Sequence, residues 1–152
     1  MTQASASNRR PVTHIGVLNG PNLNRLGARQ PHKYGTRTLD DIVADLEETA
    51  GRLGIQVSHY QSNHEGALLD WLHQHQGELD GLIVNPAGLT PYGRSLYDAL
   101  CDAGLPVVIV HITQLYRHYG ADAQDLFREV ATAYIAGLGW RGYRVALEYL
   151  CD

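Results

Sequence analysis

The chain has 152 residues, 44% of them apolar and 18% charged, and carries a formal net charge of -4. That length suits one domain with a core of its own, and the composition is that of a globular protein rather than a fibrous or disordered one. No run approaches the roughly 18 apolar residues of a spanning helix, and a mildly acidic chain without a basic stripe argues against membrane or nucleic acid as the main partner.

Residues 1–11 are small and polar, lack an apolar signal core and read as a disordered tail, which leaves residues 12–152 as the domain and implies a cytoplasmic location. Ile15, Val17 and Leu18 then predict a buried strand that breaks at Asn19-Gly20-Pro21-Asn22. The loop that follows, as far as Gly35, holds Asn22, Asn24, Arg25, Arg29, His32, Lys33 and Tyr34. These are more polar groups than a turn needs, and such connections are commonly functional or mobile.

Thr38 with Asp41 has the spacing of a capping box, and Leu39, Ile42, Val43, Leu46 and Leu53 continue at helical spacing to Gly54. Ile55 to Gln61 alternates as a second strand leading into Ser62-Asn63-His64-Glu65. A second helix carries Leu68, Leu69 and Leu72. Leu82-Ile83-Val84 is a strand buried on both faces and ends at Asn85. Thr90-Pro91 reads as an N-cap and first helical position, starting a helix with Leu96, Tyr97 and Leu100 inward. Pro106 to His111 is the clearest strand. Thr113 to Gln124 is a polar stretch, a helical piece lies near Leu126 to Glu129, Ala131 to Ala136 predicts a fifth strand, and Trp140 to Leu150 an amphipathic helix. Alternating strands and helices predict a three-layer α/β domain on a five-stranded parallel sheet.

In such sheets ligands sit beyond the carboxyl ends of the strands. That rule selects Asn19 and Asn22, Asn63 and His64, Asn85, and His111 with Thr113, a set of amides, imidazoles and a hydroxyl suited to a polar, anionic small molecule. Nothing in the spacing supplies His64 with metal-ligand partners, and no metal site is expected. His73 and His75 diverge on their helix and read as surface residues. Cys101 and Cys151 read as reduced thiols. Eleven arginines stand beside a single lysine, so Schiff-base chemistry would depend on Lys33. The loop after Asn19 lacks the glycine pattern of nucleotide-binding turns.

The segments N-G-P-N-L-N-R-L-G, R-Q-P-x-x-Y-G, Q-S-N-H-E-G, V-N-P and V-H-I-T, in this order, resemble the type II 3-dehydroquinate dehydratases over about His14 to Leu150. The resemblance implies a flavodoxin-like fold, a homo-oligomer commonly built as a dodecamer of trimers, and a cofactor-free anti elimination of water from 3-dehydroquinate through an enolate. It implies that Tyr34 is the base and Arg29 the cation that makes it one, since a free tyrosine with a pKa of about 10 is a poor base at neutral pH. By the same resemblance Asn22 orients a water on the enolate oxygen, and His111 protonates the departing hydroxyl beside Asn85. Ile112 and Thr113 would hold a substrate carboxylate through their N–H groups and the Thr113 hydroxyl, and Asp98 would reach a neighbouring subunit's pocket. The loop carrying Arg29 and Tyr34 would close as a lid.

Four departures stand against these matches. Pro91 occupies the place of a histidine that contacts substrate hydroxyls, and Asp122 that of an arginine ligand. Ile109 replaces the acidic residue that supports the catalytic histidine. Leu115 to Tyr119 replaces a basic segment, leaving Arg117 or His118 as conceivable substitutes. The expected activity is therefore dehydration of 3-dehydroquinate at reduced efficiency. The alternative is the same enolate chemistry redirected to another cyclic ketone, with Leu89 and Tyr92 adding apolar wall. Retention of base, activator and acid together argues against a binding protein without catalysis.

Overall fold

The computed structural model describes residues 10–152. Of the expected N-terminal tail only Arg10 and Pro11, both exposed, fall among them. Strands β1 (His14–Asn19), β2 (Gln56–Gln61), β3 (Gly81–Asn85), β4 (Val107–His111) and β5 (Ala133–Ala136) pair in parallel in the order β2-β1-β3-β4-β5. The longer helices are α2 (Leu39–Leu53), α3 (Glu65–His75), α4 (Arg94–Ala103) and α6 (Arg141–Cys151), and the short helices are α1 (Pro31–Tyr34) and α5 (Leu115–Tyr119). This is the flavodoxin-like α/β winding, with its switch in strand order between β1 and β3.

Every residue of β3 and β4 is buried, as helices on both faces of a parallel sheet require. Side chains alternate between two cores. Ile15, Val17, Ile83, Val108 and Val110 pack with Ile42 and Leu46 of α2 and Tyr143 and Leu147 of α6. Leu18, Leu82, Val84, Val107 and Ile109 pack with Leu68 and Leu72 of α3 and Leu96 and Leu100 of α4. Gly16 fits this second face because a Cβ there would lie 2.7 Å from the Leu79 side chain.

Helix α2 begins as its sequence predicts. The Thr38 hydroxyl accepts from the Asp41 N–H at 3.1 Å and the Asp41 carboxylate from the Thr38 N–H at 2.9 Å, while Gly54 at φ 70° ends the helix. Thr90-Pro91, by contrast, does not start α4. Thr90 spends its hydroxyl on the Ala87 carbonyl at 2.6 Å, closing a 3-10 turn over Ala87–Leu89, and Gly93 takes the N-cap three residues later. Gly93 has no room for a side chain, since a Cβ would meet Leu89 and Phe127 at 3.0 Å.

Two helices lie inside stretches that read as loop. In α5 only Leu115 is buried, and in α1 no residue is, so neither carries an apolar period to detect. Gln114 caps α5 by accepting the Arg117 N–H at 2.9 Å. His73 is exposed as expected, whereas His75 is half-buried, stacked on Trp71 at 4.4 Å between ring centroids.

At the amino-terminal edge of the sheet, Asp80 accepts hydrogen bonds from the Thr13 N–H at 2.8 Å, the Thr13 hydroxyl at 3.0 Å and the His14 N–H at 3.0 Å, joining the start of β1 to that of β3. The Thr13 N–H in particular holds the Asp80 carboxyl below its ordinary value, against the opposing effect of burial. A depressed carboxyl stabilises the fold fully above its unfolded pKa of 3.8 and loses that contribution as pH falls through the lower folded value. Asp80→Asn should therefore cost on the order of 1 kcal/mol at neutral pH, and the gap to wild type should narrow below about pH 4. Urea unfolding at pH 7 and pH 3 checks this; a gap that stays constant would remove Asp80 from the acid response.

Candidate active site

The carboxyl ends of β1, β3 and β4 open onto a cavity of about 430 Å³, a size typical of small-molecule sites. Asn22, Leu23, Arg29 and Tyr34 reach it from the connection between β1 and α2. Asn85, His111, Ile112 and Thr113 reach it from the ends of β3 and β4. Seven of the eight residues to which the family resemblance assigns a role thus share one cavity, whereas Asn19, Asn63 and His64, selected by their places at strand ends, do not line it. Asp98 does not line it; it is exposed on α4 and pairs with Arg94 at 3.2 Å.

Buried amides form the floor. Asn19 and Asn85 are register partners on β1 and β3, both almost fully buried. The Tyr143 hydroxyl rises from α6 between them, donating to Asn19 Oδ1 at 2.6 Å and accepting from Asn85 Nδ2 at 2.9 Å. Burial pushes the Tyr143 phenol far above its ordinary value, so it remains a neutral bridge. Asn19 Oδ1 is thus taken by the fold, and Asn19 does not line the cavity. Asn85 Oδ1 turns back to the Ala87 N–H at 3.1 Å, leaving Asn85 one amide proton beyond its bond to Tyr143.

The β1–α2 connection crosses close over β3. The Gly20 N–H donates to the Asn85 carbonyl at 2.8 Å, and a Cβ on Gly20 would lie 2.4 Å from the Pro86 oxygen, so only glycine permits the approach. Asn22 follows in a left-handed conformation at φ 69°, its N–H bound to Asn63 Oδ1 at 2.8 Å and its side chain making no capping bond. Ala87, also at the cavity, has φ 50°. Left-handed non-glycine residues at a pocket store strain that the surrounding contacts must hold.

Two cations stand against the Tyr34 ring: the Arg29 guanidinium carbon lies 5.2 Å from its centroid and the Lys33 ammonium 5.1 Å. Lys33 also donates to the Tyr119 hydroxyl at 2.9 Å, tying α1 to α5. That bond raises the Lys33 ammonium above its ordinary value and lowers the Tyr119 phenol. Lys33 is engaged with Tyr119 and does not line the cavity.

At the end of β4, His111 Nε2 lies 2.9 Å from Asp125 Oδ2, and both side chains are nearly or fully buried. Tyr134 donates to the same oxygen at 2.6 Å and the Phe127 N–H to Asp125 Oδ1 at 2.8 Å. Burial alone would raise the Asp125 carboxyl, but the hydrogen bonds from His111, Tyr134 and Phe127 bring it below its ordinary value and keep it ionised. The Tyr134 phenol is pushed far up by burial and by Asp125. Ile109, in the place of the supporting acid, packs in the core as a residue without charge, and His111 meets instead a carboxylate from a loop fourteen residues after the histidine itself.

The N–H groups of Ile112 and Thr113 make no hydrogen bond among the described residues and border the cavity. Pro91 lines it, together with the apolar groups of Leu23 and Leu115. Leu89 packs against the α3–α4 core instead, and Tyr92 is 80% exposed, so neither supplies the apolar wall expected of them. Arg117, His118 and Asp122 are exposed and do not border the cavity, so none of the three serves there as a hydroxyl ligand. His64 is exposed, and the described residues contain no cluster of three potential metal ligands. Sequence reasoning missed Tyr143, which reads as an ordinary core aromatic, and Asp125, whose one signal is an acidic residue at the N-cap of the turn Leu126–Glu129.

The family described as Dehydroquinase class II matches residues 13–151. The chain is 48% identical over 136 residues to the 3-dehydroquinate dehydratase of Roseiflexus castenholzii, covering 90% of this chain and 87% of that protein. The crystal structure of the type II dehydroquinase from Propionibacterium acnes superposes with a TM-score of 0.86 at 36% identity, covering 94% of this chain and 99% of that one. The corresponding enzyme of Butyrivibrio crossotus gives 0.88 at 32% identity, covering 93% and 99%. With the profile, the sequence and the fold in agreement over nearly its whole length, the chain belongs to the class II dehydroquinase family.

Proposed function

We propose that this protein is a 3-dehydroquinate dehydratase, eliminating water from its small-molecule substrate through an enolate to give 3-dehydroshikimate. The observation that carries the reading is the convergence of Tyr34, Arg29, Asn22 and His111 on one cavity formed by separate strand ends. Tyr34 is the base that removes the proton beside the ketone. A tyrosine acts so only as phenolate, and a phenolate is attracted by the Arg29 and Lys33 cations against its ring. Asn22, whose side chain makes no capping bond, orients a water on the developing enolate oxygen. His111 gives its proton to the departing hydroxyl. Asn85 contributes its remaining amide proton, and the Ile112 and Thr113 N–H groups, with the Thr113 hydroxyl, receive the substrate carboxylate. Base, activating cation, water-orienting amide and acid are all side chains that line this one cavity.

Tyr34→Phe removes the proton acceptor and little else, so turnover should fall at least 100-fold while ligand affinity changes little. Isothermal titration beside a turnover assay checks this, and wild-type turnover in the variant would dismiss Tyr34 as the base.

The proposed assembly is a dodecamer of trimers working in the cytoplasm, with Asp98 reaching the neighbouring subunit's pocket. Support comes from the outward position of Asp98 and Arg94, whose side chains are 56% and 71% exposed, and from the bare ring of Tyr92 nearby. Among the described residues no helix is long and apolar enough to cross a membrane. Sedimentation should give a closed multiple of three with activity lost on dissociation; a fully active monomer would defeat the assembly.

A second reading, enolate chemistry on a less hydroxylated ring, is favoured by Pro91 at the cavity and by the absence of Arg117, His118 and Asp122 from it. Two missing contacts of about 1–3 kcal/mol each lower transition-state binding of dehydroquinate by roughly two to four orders of magnitude. Steady-state assays on dehydroquinate and on analogues lacking the distant hydroxyls should then yield similar kcat/KM values. Family-typical efficiency with strong rejection of the analogues would instead mean that a neighbouring subunit completes the hydroxyl site.

A further inference from the structure

His111 lies on the same face of β4 as Ile109, two residues earlier, and that position is filled by core. No carboxylate on β4 itself can therefore face the ring. Asp125 arrives from the loop before Leu126–Glu129 and meets Nε2 at 2.9 Å. Its position is fixed from three directions. The Phe127 N–H holds Oδ1, while Tyr134 shares Oδ2 with the histidine. Tyr134 is the register partner of Ile109 on β5, and its ring centroid lies 5.4 Å from that of His111. The carboxylate thus accepts three hydrogen bonds beside the ring, and its side chain is fully buried.

The other ring nitrogen has a different fate. Among the described residues Nδ1 makes no hydrogen bond, yet no buried side-chain nitrogen or oxygen there is left without a partner. Nδ1 is therefore accessible, and His111 borders the cavity.

From this geometry we propose that Asp125, braced by Tyr134 and the Phe127 amide, is the positioning residue that fixes the tautomer of His111 and makes Nδ1 the atom that delivers the proton. The assignment rests on the dehydratase reading and deepens it. A carboxylate only accepts hydrogen bonds, so Nε2 must carry a hydrogen in both charge states of the ring, and only Nδ1 can exchange one. In the elimination the enolate electrons return to form the carbon–carbon double bond as the C–O bond breaks. The oxygen leaves with that bond's electron pair and takes the proton from Nδ1, giving water. The ring is left neutral with its hydrogen on Nε2, still bound to Asp125. Tyr34 releases its acquired proton to solvent, and His111 is reprotonated from solvent.

The test combines kinetics with nitrogen-15 NMR of the histidine rings in the assembled protein, with His111 assigned by loss of its signals in His111→Asn. In wild type the neutral His111 ring should carry its hydrogen on Nε2. Asp125→Asn presents an amide that cannot accept from His111, Tyr134 and Phe127 together, so the ring should lose its single tautomer and kcat should fall roughly 10–100-fold with KM little changed. Asp125→Glu, which restores a carboxylate, should recover part of kcat. Tyr134→Phe keeps the carboxylate and should retain the tautomer with a loss below about tenfold. An Nδ1–H tautomer in wild type, the same tautomer in Asp125→Asn, or an unchanged kcat in that variant would overturn the assignment. Should Asp125→Asn fail to fold, the wild-type and Tyr134→Phe spectra decide. A wild type that turns over no dehydroquinate defeats the dehydratase reading instead, while the spectra still decide the tautomer.

Discussion

The Tyr143 hydroxyl sets the terms for the rest of the pocket. Two apolar strands end side by side in asparagines, and a buried amide without partners costs about 1–3 kcal/mol. One phenol, delivered by the last helix of the chain, answers both, accepting from Asn85 and donating to Asn19. This bond ties α6 to the switch point between β1 and β3, 124 and 58 residues away in sequence. It also divides the labour between the two amides. Asn19 holds the phenol and does not line the cavity, while Asn85 keeps one donor there.

A second tyrosine hydroxyl, partly buried, performs a similar task at β4. Tyr134 and the Phe127 amide hold Asp125 so that His111 meets a carboxylate already oriented by the fold. Neither tyrosine is itself a proton-transfer group, because burial pushes both phenols far upward. Tyr34 differs in kind: it is half-buried, beside two cations, on a short helix with no buried residue. The groups that hold the pocket therefore belong largely to the core, and the proposed base belongs to a short segment that buries no residue. Such a segment is suited to opening and closing over a ligand.

The legibility of the chain follows the same division. Strands such as Leu82-Ile83-Val84 and Pro106 to His111 are visible in sequence because burial on both faces demands unbroken apolar runs, and α2 is visible because Thr38 and Asp41 cap it locally. Asn22, Arg29, Tyr34 and His111 are legible through spaced motifs. Long-range hydrogen bonding is not. Asp125 lies fourteen residues after His111 and looks like a simple N-cap, which it also is. Thr90-Pro91 misleads because its hydroxyl found a nearer carbonyl than the helix it would have capped. Helices α1 and α5 escape notice because they bury almost nothing. The missing support implied by Ile109 is a false alarm for a related reason: a linear pattern records the loss of a carboxylate at one position but not its arrival from another.

Charge completes the argument. Arg29 and Tyr119 border the cavity together with the amides of Asn22 and Asn85 and with Ile112 and Thr113, whose N–H groups make no hydrogen bond among the described residues, a lining suited to the anionic substrate proposed above. The carboxylate nearest the proposed acid is Asp125, and its negative charge is directed into donors from His111, Tyr134 and Phe127 rather than toward the cavity. It can thus balance a protonated histidine with limited repulsion of an anion, because its field is met at close range by three oriented N–H and O–H dipoles. A carboxylate exposed to the cavity would perform the first task at the expense of the second. Placing it behind the ring, on a loop that the core itself secures, reconciles a cationic acid with an anionic ligand in one small pocket.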